Sequence, residues 1–80
     1  MRAKVYVTLK KSVLDPQGKT IHYSLHNIGF KKVTGVRQGK FFEIDFAEGL
    51  SREEIQAEVE RIAQGILTNP VIEEFSYILE

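Results

Sequence analysis

Apolar and polar positions alternate from the start of the chain. Val5, Val7 and Leu9 fall on one face of residues 4–10, and Lys4, Tyr6, Thr8 and Lys10 on the other. That period of two predicts a half-buried strand. The pattern then changes. Asp15 is a helix-capping type and Pro16 suits a first helical position. Ile21, Leu25 and Ile28 follow at spacings of four and three, predicting a helix with one inward stripe. Gly29 followed by apolar Phe30 matches the pattern that ends helices with a left-handed residue, with Phe30 over Leu25. Within this first turn, Gln17 and Gly18 are odd choices for helix stability alone. Gly costs roughly 1 kcal/mol against Ala in a helix, so its position suggests that something approaches closely there.

The second half reads in the same way. Val33 and Val36 predict a strand over about residues 32–37, with Gly35 as a bulge, and Gln38-Gly39 a short turn. Residues 40–46 alternate, with Phe42, Ile44 and Phe46 inward and Glu43 and Asp45 outward. Ser51 and Glu54 form a capping-box pair, and Leu50 can staple onto Ile55. Ile55, Val59, Ile62 and Ile66 make a second helical stripe, which Asn69-Pro70 ends. Residues 71–79 close the chain as a strand with Phe75, Tyr77 and Leu79 on one side.

The order β-α-β-β-α-β predicts an α+β, ferredoxin-like two-layer sandwich occupying residues 1–80 as a single domain. Its sheet would be four-stranded and antiparallel, with both helices on one face. The other face would show Tyr6, Thr8, Phe41, Glu43 and Asp45, and a semi-apolar open face suggests a partner. Pro70 could act as a hinge for exchange of the last strand.

Eighty residues bury a modest core. There is no cysteine to add a disulfide or a thiolate metal site, which leaves self-association as the expected support. No apolar run approaches the roughly 20 residues of a membrane span, and no signal peptide opens the chain, so a soluble cytoplasmic protein is expected. The formal net charge is zero, yet it is split. Residues 1–40 carry nine Lys and Arg against Asp15 alone, a balance of +8. Residues 41–80 carry Arg52 and Arg61 against ten acids, a balance of −8. Such a division marks either nucleic-acid binding or basic and acidic elements that meet, within one chain or between copies.

Candidate chemistry is thin. Gly18-Lys19-Thr20 mimics the end of a phosphate-binding loop, but position 13 is Val where that loop needs Gly. Gly35 to Lys40 fails on spacing and ends in Phe41. His22 and His26 are helical neighbours without an evident third ligand. Ser12, Ser24, Ser51 and Ser76 have ordinary loop, surface, cap and strand readings. Glu73 and Glu74 alternate to opposite faces of a strand, so they make no carboxylate pair. Arg37 and Lys40 bracket the expected hairpin, either as an anion site or as solvated edge charges. These residues give no catalytic, cofactor or metal site within the chain.

Three blocks carry a resemblance. They are Val5 to Lys10 with Val13-Leu14-Asp15-Pro16-Gln17-Gly18; Gly29-Phe30 with Val33 and Val36-Arg37-Gln38-Gly39-Lys40; and Asn69-Pro70-Val71-Ile72-Glu73. Their combination, spread over the whole chain, resembles the small subunit of phosphoribosylformylglycinamidine synthase, the PurS family of purine biosynthesis. Phe46 and the end Ser76 to Leu79 are more apolar than that resemblance leads one to expect. The resemblance implies a ligase complex that makes an amidine from formylglycinamide ribonucleotide with ATP and ammonia from glutamine. It implies a large ATP-dependent synthetase subunit and a glutaminase subunit as partners, with ATP and glutamine used by them and no cofactor bound here. The small subunit is then a dimer or higher homo-oligomer that joins the two and supports ammonia transfer.

On that reading Asp15, Gln17, Gly18, Arg37, Lys40, Asn69 and Pro70 are expected at a subunit interface. Two other readings stay open: a βαββαβ module that binds small regulatory molecules, and an RNA-binding sheet using Tyr6 and Phe41. Against the RNA reading, Glu43 and Asp45 would repel phosphate, so no nucleic-acid or membrane partner is expected.

Overall fold

The computed structural model describes residues 1–80. Strand β1 (Arg2–Leu9) is followed by helix α1 (Pro16–Asn27), strand β2 (Gly39–Asp45), helix α2 (Arg52–Ile62) with a π-helical continuation (Ala63–Leu67), and strand β3 (Glu73–Leu79). The sheet has three strands in the order β2-β1-β3. Both pairings are antiparallel, with Val5 opposite Phe42 on one side and Tyr77 on the other.

The inward positions predicted for β2 and β3, and Val5 and Val7 of β1, are found inward, whereas Leu9 is half-buried and lies outside the core. Ala3, Val5 and Val7 are buried against Ile55, Val59 and Ala63 of the α2 segment. Phe42, Ile44 and Phe46 flank that core on one side, and Phe75, Tyr77 and Leu79 on the other. Ser51 caps α2, its Oγ accepting the Glu54 amide at 3.1 Å and donating to the Glu54 carboxylate at 3.3 Å. The far sheet face carries Tyr6 against Phe41, ring centres 5.1 Å apart. Beside them Arg2 bridges Glu43 and Asp45, and Lys4 pairs with Glu80.

Three expectations need correction. Residues 32–37 form no strand, so the sheet has three strands and not four, and Gln38-Gly39 is not a hairpin turn. The 33–38 segment instead runs beside α1. His22 Nε2 meets the Val33 carbonyl at 2.9 Å, and the Gln38 amide donates to Asp15. Two apolar residues and a glycine gave too weak an alternation to hold a strand without a neighbour.

The second correction concerns α1, which does not lie on the sheet. None of its residues belongs to the core or packs against it. Ile21 is exposed, Ile28 is 72% exposed and Phe30 is 55% exposed. Its ends nevertheless form as the sequence predicts. Asp15 caps the start, and at the finish Phe30 N bonds Leu25 O at 2.9 Å, Gly29 N bonds His26 O, and Gly29 sits at φ 110°. A strand of eight residues spans about 26 Å and a helix of twelve about 18 Å. The molecule is elongated, with extents of 51 × 25 × 14 Å. α1 and the returning 31–38 segment thus form an arm that projects from one end of a sheet-and-helix body.

Ile66 is the third. It is 79% exposed, whereas Leu67 packs against the core. The π turn explains the change of face: Thr68 N bonds Ala63 O five residues back, so the wider turn rotates the last apolar position by one residue. Thr68 Oγ1 secures that turn by donating to Ala63 O at 2.8 Å. β3 begins at Glu73, leaving Val71 exposed in the preceding turn, and it pairs with β1 of its own chain along seven positions.

Candidate functional site

The seven residues singled out from the sequence come together where the arm joins the sheet. Asp15 sits at the centre and is buried. One carboxylate oxygen accepts the Gly18 amide at 2.9 Å and so caps α1. The other accepts the Gln38 amide at 2.8 Å, just ahead of β2. These two amides, Gln38 first, hold the Asp15 carboxyl below its ordinary range, with Arg37 assisting and burial opposing.

Gly18 is buried as well. A side chain there would fall onto the Val36 carbonyl oxygen and lie 2.6 Å from Asp15 Oδ2. The close approach that the glycine signalled is therefore made by the chain's own 33–38 segment. Arg37 turns its guanidinium back to β1, where Nη2 donates to the Leu9 and Lys10 carbonyls, both at 3.0 Å.

Lys40 and Asn69 reach the same end through Glu73. The Glu73 carboxylate pairs with Lys40 Nζ at 3.3 Å and accepts the Asn69 amide at 2.7 Å. The Asn69 amide, then Lys40, lowers its pKa. Asn69 Oδ1 accepts the Val71 amide at 3.1 Å, which closes the turn at Pro70. Gln17 is exposed and lines a hollow of about 200 Å³ with Asp15, Gln38, Gly39, Lys40 and Glu73.

Asp15, Gly18, Arg37, Lys40 and Asn69 thus take part in one internal joint, while Gln17 and Pro70 face outward. The joint sets the direction of the arm. Sequence reasoning missed two of its members, Gln38 and Glu73. It also missed that Ile21, Ile28 and Phe30 would lie in solvent. The signal for Gln38 was present in Gly18, which announced a close neighbour without saying which segment it was. His22, with its Nε2 on the Val33 carbonyl, is engaged in holding the arm together.

Known proteins share this fold. The family model described as PurS, phosphoribosylformylglycinamidine (FGAM) synthase, matches residues 2–80. The PurS subunit of Archaeoglobus fulgidus is 41% identical over 78 residues, 98% of this chain and 96% of that protein. The crystal structure of Methanocaldococcus jannaschii PurS, described as one of the subunits of formylglycinamide ribonucleotide amidotransferase in the purine biosynthetic pathway, superposes with a TM-score of 0.86. It is 37% identical, with 99% of this chain and 94% of that one covered. A chain in the structure of PurLQS from Thermotoga maritima also superposes at 0.86, with 27% identity over 96% of this chain and 93% of that one.

Proposed function

The chain belongs to the PurS family of phosphoribosylformylglycinamidine synthase subunits of purine biosynthesis, and from that premise we propose that it is the non-catalytic assembly subunit of such a ligase. It holds a glutaminase and a large ATP-dependent synthetase in register in the cytoplasm, so that ammonia passes between them without release. ATP and glutamine are handled by those partners. Docking makes the transfer effectively intramolecular and raises the local ammonia concentration. The subunit works as a homo-oligomer, and the sheet end bearing Gln17, Lys40 and Pro70 meets its partners.

One observation carries the reading: the chain leaves apolar surface uncovered on two sides. Ile21, Ile28 and Phe30 line the arm, and Tyr6, Phe41 and Ile78 lie exposed on the far sheet face. Large apolar side chains gathered on an exposed face mark interaction sites.

Reconstitution tests it. Synthetase and glutaminase are mixed with and without this chain, and product is followed from glutamine and separately from ammonium. The chain should raise the glutamine-dependent rate by about tenfold or more, with less effect on the rate from saturating ammonium. Full glutamine-dependent activity in its absence would overturn the assembly role.

A further inference from the structure

The joint that directs the arm also borders a second hollow, of about 460 Å³. Three separate segments wall it. The turn after β1 brings Lys11, the first turns of α1 bring Lys19 and His22, and the returning 34–37 stretch brings Arg37. The volume falls within the range of about 300–1,000 Å³ typical of small-molecule sites.

Its charge is one-sided. Lys11, Lys19 and Arg37 stand against a single carboxylate, Asp15, a balance of +2. Both Asp15 oxygens are already taken by the Gly18 and Gln38 amides. None of the chain's four ion pairs uses any of the three cations, whereas Arg2, Lys4 and Lys40 each find an acid. Like charges gathered in this way repel one another, and nothing within the chain offsets that cost.

The walls are also fixed. Arg37 Nη2 is held by the Leu9 and Lys10 carbonyls, neutral acceptors that orient the guanidinium without cancelling its charge. The rest of the fork is left for another acceptor. Asp15 ties the start of α1 to the returning segment through Gln38, and His22 does so again through the Val33 carbonyl. The Val13 amide bonds the Lys10 carbonyl at 2.9 Å and closes the turn that carries Lys11. Donors already held in place lose little freedom when a ligand arrives.

We infer that this hollow binds a phosphate monoester of small-molecule size. Such a group is close to a dianion at neutral pH and offers three acceptor oxygens. That matches the balance of +2 and the three cationic side chains, Arg37 supplying a planar fork and the lysines point charges. A carboxylate, with one charge, would neutralise only half of the site. Leu14, 61% exposed at the rim, gives apolar surface to the rest of the ligand. An occupant joins the turn, the helix and the returning segment, so binding stiffens the base of the arm. This site is independent of the assembly role.

Isothermal titration calorimetry on the full chain, at neutral pH and low salt, tests it with ribose 5-phosphate and adenosine 5′-monophosphate as probes and acetate as the singly charged control. Saturable one-to-one binding of a monoester is expected, with none of acetate. Lys11→Ala/Lys19→Ala should weaken it about tenfold or more and leave the thermal midpoint of the free chain unchanged, since neither lysine makes an ion pair. Lys31→Ala/Lys32→Ala removes equal charge from the same arm outside the hollow and should weaken binding less than about twofold. Amide NMR spectra of the parent chain should shift at residues 11–15, 19–22 and 34–37 as the monoester is added. Absence of saturable binding at millimolar probe, equal losses in the two double variants, or shifts confined to other residues overturns the site. Binding of a single-stranded oligonucleotide in place of the monoesters also overturns it, in favour of a phosphodiester surface.

Discussion

Asp15 shows how one short side chain can serve two segments. Its cap on α1 was legible from Asp15-Pro16, because capping chemistry is local. Its bond to Gln38 was not, since nothing in the sequence says which amide arrives from 23 residues away. Gly18 has the same two sides: the need for a glycine was visible, the Val36 carbonyl was not. Gly18→Ala should therefore destabilise the fold by about 1–3 kcal/mol, the usual cost of overpacking, as read by urea unfolding. Asp15 and Glu73 also make stability depend on acid. Both have folded pKa values depressed from ordinary values of 3.8 and 4.5. A depressed carboxylate contributes fully above its unfolded pKa, and that contribution is lost as pH falls through the folded one. Thermal midpoints should thus hold steady above about pH 5 and drop below pH 4. Asp15→Asn should flatten that acid limb and lower the midpoint at neutral pH.

At the scale of elements, sequence periodicity found both helices and three of four expected strands. It succeeded where apolar positions were dense, as in Val5-Val7 or Phe42-Ile44. It failed at residues 32–37, where Val33 and Val36 sit three apart and do not alternate. It failed again in α2 for a different reason. A period of 3.6 predicts Ile66 inward, but the π turn adds a residue and brings Leu67 in. The two outcomes are separable by mutation. Ile55→Ala should cost about 2–5 kcal/mol, the range for emptying a core position. Ile66→Ala should change stability by no more than about 0.5 kcal/mol in the isolated chain. Thr68→Val removes the hydroxyl that donates to Ala63 O and should cost about 1 kcal/mol, since that carbonyl keeps its amide partner.

For the whole molecule, composition gave one lasting clue. The +8 and −8 halves read as elements that meet. Part of the meeting is within the chain, where Arg2 reaches Glu43 and Asp45, Lys4 reaches Glu80, and Lys40 reaches Glu73. Lys19, Lys31 and Lys32 have no such partner in their own chain, and they all lie on the arm. The elongation itself could not be read, because an apolar stripe looks the same whether its cover comes from the same chain or another. With the chain working as the proposed homo-oligomer, stability should depend on concentration. Over a hundredfold range of protein, the unfolding midpoint should rise by several degrees, by mass action on association. The midpoint of Ile28→Asp should stay flat.

The strand order has a consequence for folding kinetics. β1 is the first strand of the chain and the middle strand of the sheet, flanked by β2 and by β3. Its pairing with β2 can be tried once residue 45 exists, but Ala3 must wait for Leu79. Closing so long a loop is slow. The half-built sheet meanwhile presents one bare edge of β1 to any other chain nearby. Arrival of the last strand is therefore the step that should limit the folding rate. Substitutions in β3 that spare the β1–β2 pair should slow folding more than they speed unfolding, a difference that stopped-flow measurements on Tyr77→Ala can read.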